Sequence, residues 1–213
     1  MIPRPELLTH PNIPKPLHGL APREILGREW WDEQRREAYA KHHHHCWACG
    51  IHKREARYHR WLEAHESYTI DYTAGSMEMT EIVALCHTCH NFIHTGRMTA
   101  LWQRGLFDTR KALYILQRGF KIVKGAGLSP FYVGAELYAL ILEKQRHPLA
   151  EEAFRRAEEL KQQFDAQTGI VAPWEVWHLK LLGETHPTRF RNEQEWAAHY
   201  AALDGVAQPE SAV

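Results

Sequence analysis

The sequence predicts an α+β fold that is predominantly helical. Residues 61–72 and 77–85 are rich in β-prone side chains and flank an Ala-Gly-Ser turn, which predicts a hairpin. Helical spacing follows from Cys86 to about Thr95, and Gly96 is a typical helix stop. Beyond about residue 100, amphipathic segments alternate with breaks that contain Gly or Pro, so we expect an all-helical C-terminal region.

The first elements along the chain are an arm and a helix. Six prolines lie between Pro3 and Pro22. Because proline has no backbone N–H to donate, residues 1–21 are predicted to form an extended arm. Proline is favourable near a helix start, and the apolar spacing that follows predicts a helix from Pro22 to near Lys41. This helix, the hairpin and the helix after it form a predicted module over residues 22–98.

Four amphipathic segments make up the predicted helical region, residues 99–204. They lie near residues 109–123, 131–145, 149–164 and 192–203. Residues 205–213 are predicted to be a frayed tail. Aromatic residues at helical spacing usually serve a core, so we expect six of them to anchor helix packing: Trp30, Trp31, Tyr39, Trp174, Trp177 and Trp196.

The composition is that of a globular chain without a membrane segment. Hydrophobic residues make up 44% of the 213 residues and charged residues 24%. No run of about eighteen apolar residues occurs, and the N-terminus lacks an apolar signal region, so we expect a cytoplasmic protein. The formal net charge is zero, which argues against binding nucleic acid by bulk electrostatics. A nucleic acid would have to be bound by a local patch, for which the basic and aromatic segment Lys53–Trp61 is the main candidate and Arg97 and His42–His45 are weaker ones.

All four cysteines fall in two pairs with the spacing of metal knuckles. They are Cys46-x2-Cys49 and Cys86-x2-Cys89, with 36 residues between the pairs. Each x2 spacing lets two thiolates converge from one tight turn, as a tetrahedral zinc ion requires. Disulfide-bonded or merely buried pairs are the alternative, which a cytoplasmic location disfavours. We therefore predict a structural zinc that clamps the entry of the hairpin against the start of the following helix.

Histidines are concentrated in the same part of the chain. Twelve of the 16 lie in the first 100 residues. His90 and His94 are four residues apart on the predicted helix, a spacing that lets two imidazoles reach one metal ion. His87 lies one turn earlier on roughly the same face and is a competing ligand. The strand before them offers His65 and Glu66.

Three stretches combine into a more specific pattern: Cys46-x2-Cys49, then Leu62-Glu63-Ala64-His65-Glu66, then Leu85-Cys86-x2-Cys89-His90-x3-His94. This pattern resembles the HNH endonuclease family in its zinc-stapled form, over roughly Cys46 to Met98. The resemblance implies a ββα-metal fold, in which a hairpin and a helix grip one divalent ion that contacts the scissile phosphate. It implies that His65, His90 and His94 are the ligands of that ion.

The position of the general base departs from the family pattern. The family usually has histidine directly after the strand ligand, whereas this chain has Glu66, which makes His65, Glu66 and His90 the implied catalytic residues. A carboxylate can accept a proton from water if its pKa suits the task. Two alternatives stay open: His65 is the base while Glu63 or Asp71 completes the metal shell, or the site is inactive.

The middle asparagine of the family has no assigned counterpart in this chain. Thr80 and Glu81 occupy the region where it usually lies, and Asn91 lies inside the predicted helix. The middle role is therefore left without a residue.

The resemblance and the ligand types together predict a metal-dependent endonuclease acting on DNA, with RNA not excluded. Phosphodiester hydrolysis needs a base for water and a cation for the charge that gathers on phosphate. Three imidazoles suit Mn²⁺, Ni²⁺ or Zn²⁺ better than Mg²⁺, and the identity of the ion is left open. The alternative is a non-catalytic zinc module that binds nucleic acid or protein. Because the formal net charge is zero, we expect either a homodimer that builds the binding groove or an activating protein partner.

Overall fold

The structure is a computed structural model and describes residues 2–205. This part of the chain contains seven α-helices and four β-strands. The helices are α1 (Pro22–Lys41), α2 (His87–Ile93), α3 (Thr95–Gln103), α4 (Thr109–Gly125), α5 (Tyr132–Lys144), α6 (Ala150–Thr168) and α7 (Glu193–Gly205). The strands are β1 (Leu62–Asp71), β2 (Ser76–Cys86), β3 (His178–Leu181) and β4 (Glu184–Pro187), and they form one sheet in the order β1-β2-β3-β4. The α+β, mainly helical fold class is confirmed.

The described chain divides into two units that differ from the predicted segments. The first unit consists of residues 2–12, 32–67 and 81–167, and the second of residues 13–31, 68–80 and 168–205. The hairpin contributes residues to both units, because its strands, 10 and 11 residues long, extend from one unit into the other. The base of the hairpin belongs to the first unit and its turn to the second. The predicted tail, 205–213, lies beyond the described residues except for Gly205.

The N-terminal arm is not uniformly extended, in contrast to the prediction. It contains two short 3₁₀ helices, Pro5–Thr9 and Lys15–Leu17. Proline lies in the first turn of each, where its missing N–H costs nothing. Leu7 and Leu8 are buried in the first unit and Leu17 in the second. Burial of these leucines explains why the arm is ordered although it is rich in proline.

In the first unit, α2 packs against α4 at one close point. A Cβ atom built on Gly119 of α4 would lie 2.1 Å from the Phe92 ring of α2, so only glycine allows this approach. Ile115 and Leu116 of α4 are fully buried beside it. The packing fixes the position of α2, the helix that carries His90.

The helix after the hairpin does not end at Gly96 as predicted. It ends at Ile93, and α3 begins at Thr95 after a single residue whose ψ is 38°. Gly96 lies in the first turn of α3, where a Cβ atom would be 2.7 Å from the Asn12 side chain. Glycine therefore serves close packing at this position rather than helix termination.

The prediction of an all-helical C-terminal region is wrong, because β3 and β4 form a short hairpin there. β3 pairs in parallel with β2, with Ser76 opposite His178, and antiparallel with β4. Leu182 and Gly183 both have positive φ, as the two central residues of a tight hairpin turn require. Four-residue strands are too short for their alternation to stand out in the sequence.

The second unit has its own apolar core on this sheet. Met77, Leu179 and Leu181 are almost completely buried there together with Trp177. Trp177 is thus a core anchor, as expected, but it packs against strands rather than between helices. No helix within residues 2–205 combines the length and apolar character needed to cross a membrane.

Candidate metal centres

The first cysteine pair lies on a tight knuckle that is bonded to the hairpin. The Gly50 N–H donates to the Cys46 carbonyl oxygen, and the Trp47 N–H donates to the Ala84 carbonyl oxygen of β2, each over 2.8 Å. Gly50 has a φ of 76°, a conformation that strains any residue with a Cβ atom. The knuckle is therefore held directly beside the end of β2, where Cys86 lies.

The four cysteine sulfurs converge on one point. All lie within 4.8 Å of one another, and the Sγ atoms of Cys49 and Cys86 are 3.9 Å apart. Sulfurs held at about 2.3 Å around a tetrahedral ion would be about 3.8 Å apart. A disulfide would need about 2.05 Å, and all four cysteines are free thiols. The cluster can hold a metal ion, and it joins the knuckle, the end of β2 and the start of α2.

The three predicted histidines also converge. Ligand nitrogens of His65, His90 and His94 lie within 4.8 Å of one another, with 3.1 Å between His65 Nδ1 and His94 Nε2. His65 comes from β1, His90 from α2, and His94 directly follows α2. His65 is only 7% exposed, so this cluster lies below the surface. The hairpin and the helix thus bring three imidazoles together.

Burial keeps two of these imidazoles neutral. Burial first, and then the neighbouring His94 and His90, hold the pKa of His65 well below its usual range. Burial, His90 and Arg97 lower the pKa of His94 to about 3. A neutral imidazole has a lone pair to give to a metal ion, so both residues are in the ligand form at neutral pH.

A further cluster, which the sequence did not reveal, adjoins the three histidines. It consists of His59, Glu63 and His87. Glu63 Oε1 lies 2.8 Å from His59 Nε2 and 2.7 Å from His87 Nδ1, and the two nitrogens are 2.8 Å apart. His87 is therefore not a competitor for the His94 cluster. His59 lies in a loop and His87 at the start of α2, so no helical or strand periodicity links them.

Glu63 connects the two groups of histidines. Its second oxygen, Oε2, accepts a hydrogen bond from His90 Nδ1. Burial raises the pKa of Glu63, but hydrogen bonds and charge attraction from His87 and His90 outweigh it and hold the pKa well below its usual range. The carboxylate is thus ionised at neutral pH.

Glu66 and Asp71 belong to none of the three clusters found among the described residues. Glu66 follows His65 in an extended strand, so the two side chains leave opposite faces of β1. Asp71 lies at the hairpin turn and accepts a hydrogen bond from the Ala74 N–H over 2.8 Å. Asp71 therefore stabilises the turn and does not complete the shell of the histidine cluster.

The residues considered for the middle asparagine have structural contacts. Glu81 forms an ion pair with Arg4 over 2.7 Å. The Asn91 side chain donates to the His87 carbonyl oxygen over 2.9 Å. Asn91 thus supports the backbone at His87, beside the cluster with Glu63.

Basic and aromatic side chains lie next to His87. The Arg57 guanidinium is 4.0 Å from the centre of the Tyr114 ring, and Lys111 Nζ is 4.9 Å from that of Tyr58. Tyr58 is 42% exposed, has a φ of 80°, and its ring is 5.5 Å from that of His87. We call Arg57, Tyr58, Lys111 and Tyr114 the basic-aromatic patch. Of the predicted segment Lys53–Trp61, Arg57 and Tyr58 belong to it.

His10 of the N-terminal arm adds one more imidazole to this region. Its ring centroid is 6.4 Å from that of His65. His10 Nδ1 lies 2.8 Å from the Pro11 carbonyl oxygen, which can accept a hydrogen bond from it. This approach could not be predicted from the sequence, because His10 is far from His65 along the chain.

Comparisons of the chain with models of protein families, with curated proteins and with solved structures found no match.

Proposed function

We propose that this chain is a metal-dependent HNH-type endonuclease that hydrolyses phosphodiester bonds in DNA. The observation that carries the proposal is the convergence of His65, His90 and His94 from a hairpin and the helix that follows it. The four-cysteine cluster joins the same two elements. A binding module would need the cysteines but not three converging imidazoles beside them.

We assign zinc to the four-cysteine cluster. Four thiols within 4.8 Å of one another cannot all ionise without a cation between them, and tetrahedral sulfur ligation is typical of structural zinc. No described cysteine is exposed, so the site is closed and suits a structural ion rather than a catalytic one. Zinc there would hold α2, and with it His90, against the end of β2.

The three histidines are the proposed ligands of the catalytic ion. A divalent ion bound to three neutral imidazoles keeps its full charge and supplies electrostatic stabilisation for a phosphate oxygen. Nitrogen ligands favour Mn²⁺, Ni²⁺ or Zn²⁺ over Mg²⁺. The low pKa values of His65 and His94 support this role, because protons compete weakly with the metal for these nitrogens.

Two residues are candidates to accept the proton of the attacking water. Glu66 occupies the position that the general base has in the HNH endonuclease family, which the sequence pattern resembles. His10 is the second candidate, since its ring centroid lies 6.4 Å from that of His65. Strand alternation, which directs Glu66 away from the face of His65, favours His10.

The basic-aromatic patch is the proposed substrate contact. The formal net charge of zero requires such a local site. Arg57 and Lys111 would pair with phosphates, and the exposed ring of Tyr58 would stack on a base. The patch adjoins His87 and is therefore close to the metal clusters.

Cleavage of supercoiled plasmid tests this function. The full-length protein is incubated with Mn²⁺, Ni²⁺, Zn²⁺ or Mg²⁺ in turn, with an EDTA control. We expect nicking that requires metal and is lost in His90→Ala, while His147→Gln, a change of an exposed histidine between α5 and α6, is as active as the wild type. Removal of the general base should lower the cleavage rate by about 10²–10⁴-fold. Comparison of Glu66→Gln with His10→Gln therefore identifies which of the two residues is the base. Absence of cleavage by folded protein with every metal would contradict the proposal.

A further inference from the structure

We infer that His59, Glu63 and His87 form an additional divalent metal site, distinct from the cluster of His65, His90 and His94. Three potential ligand atoms meet there: His59 Nε2, Glu63 Oε1 and His87 Nδ1. Each is 2.7 or 2.8 Å from the other two. All three side chains are largely buried, with exposed fractions of 14–17%.

Hydrogen bonding alone cannot satisfy this triangle. Glu63 Oε1 is a carboxylate oxygen, which accepts hydrogen bonds and does not donate them. If both imidazoles donate to it, two donor nitrogens lie only 2.8 Å apart and their N–H groups repel each other. If one imidazole instead accepts from the other, its lone pair faces the carboxylate oxygen at hydrogen-bond distance. A cation among the three atoms removes the conflict, because all three then direct lone pairs toward it.

The distances agree with three ligands on one face of an octahedron. Bonds of about 2.0–2.1 Å at right angles place neighbouring ligand atoms about 2.8–3.0 Å apart. A tetrahedral ion with the same bonds would place them about 3.3 Å apart, which is farther than the distances here. Two histidines and one carboxylate in this arrangement leave open positions and are typical of first-row transition metals. Mg²⁺ and Ca²⁺ prefer shells made of oxygen.

Each ligand is supported by a further contact. The Trp61 ring stacks on His59 with centroids 3.8 Å apart and planes 4° apart. Asn91 donates to the His87 carbonyl oxygen, and the other oxygen of Glu63 accepts from His90. Metal ligands are commonly oriented by such outer contacts. The cluster therefore has the support that a built metal site requires.

The additional ion would not form a close catalytic pair with the ion of the other cluster. Paired catalytic ions are about 3.5–4 Å apart. Here the His90 imidazole and the Glu63 carboxylate lie between the two positions. The chemical class of the ligand is thus a single transition-metal ion, such as Zn²⁺, Fe²⁺ or Mn²⁺, which binds whether or not the chain is a nuclease.

Counting bound zinc tests the inference. The full-length wild-type protein and its variants are dialysed against buffered Zn²⁺, and the number of zinc ions per chain is measured by inductively coupled plasma mass spectrometry. We expect three ions in the wild type and in His147→Gln, two in His59→Gln, two in His94→Gln, and one in the double variant of His59 and His94. An equal zinc count in His59→Gln and the wild type would overturn the inference.

Anomalous diffraction provides a second test, which uses the wild-type protein and needs no substitution. Crystals of the wild type grown with zinc are measured at the zinc edge, and the peak at the four cysteines serves as the internal reference. A further peak among His59, Glu63 and His87 is expected. Its absence, with the reference peak present, would overturn the inference even if the variants failed to fold.

Discussion

Glu63 Oε2 accepts a hydrogen bond from His90 Nδ1, and this contact determines which nitrogen of His90 can bind a metal. A nitrogen that donates a proton to a carboxylate has no lone pair to offer. His90 Nε2 is therefore the nitrogen that serves the cluster with His65 and His94. An ionised carboxylate behind the ring also makes the imidazole a stronger ligand.

Loss of the Glu63 charge should weaken metal binding at the histidine cluster. In Glu63→Gln we expect the affinity of His65, His90 and His94 for Zn²⁺ or Mn²⁺ to fall by about 10–100-fold, as for other outer-shell changes. Competition with a chromophoric chelator measures it. Glu66→Gln is the matched control, because Glu66 also lies on β1 but its side chain leaves the opposite face of the strand from Glu63. Equal losses in the two variants would show that general charge, rather than the contact with His90, is responsible.

Loss of one cysteine should unfold the region around α2. In Cys49→Ser we expect the zinc of the cysteine cluster to be lost together with the cooperative thermal transition, because structural zinc contributes about 10–16 kcal/mol in small zinc modules. Circular dichroism and zinc analysis on the same sample measure both. A strong chelator should reproduce the effect in the wild type. A zinc-free variant with an unchanged transition would contradict the structural role.

The contact between α2 and α4 predicts different effects for two glycines of the same helix. Gly119→Ala should lower the free energy of unfolding by about 1–3 kcal/mol, since the new Cβ atom would meet Phe92 at 2.1 Å. Gly125→Ala, where a Cβ atom would have no neighbour within 4 Å, should be neutral or stabilise by up to about 1 kcal/mol. Urea denaturation of both variants checks this. A tolerated alanine at 119 would mean that Phe92 moves freely.

Mild acid should destabilise the protein prepared without metal at the histidine cluster. The pKa of His94 is about 3 in the folded chain and about 6.5 when unfolded, so the unfolded state binds more protons between these values. The free energy of unfolding therefore falls as pH decreases below about 6.5. We expect the urea midpoint to drop from pH 7 to pH 5.5, and to drop less in His94→Gln, which has the same cysteine cluster. Parallel changes in both proteins would assign the effect to other groups.

Local spacing explains which parts of the candidate site could be predicted from sequence. Cys46 and Cys49 share one knuckle, and His90 and His94 are one helical turn apart, so each pair can be recognised without knowing the fold. The partnership of His59 with His87 depends on how a loop meets a helix 28 residues later. The approach of His10 to His65 likewise depends on the course of the arm. Neither has a periodic signal in the sequence.

The same reason explains the outcome for the fold. The long hairpin was predicted because β1 and β2 are adjacent and have a clear turn between them. β3 was missed because it is four residues long and its partner, β2, is about a hundred residues away in the chain. Pairing at such a distance leaves no local pattern that a sequence window could detect.

The pairing of Ser76 with His178 also has a consequence for protein synthesis. During translation the hairpin turn leaves the ribosome roughly a hundred residues before the strand that covers it. Throughout that interval Met77, which is fully buried in the finished protein, has no cover, and the edge of β2 has unpaired backbone groups. Chains that stop before residue 178 would expose this edge permanently, so premature termination would produce a species that aggregates or is held by chaperones.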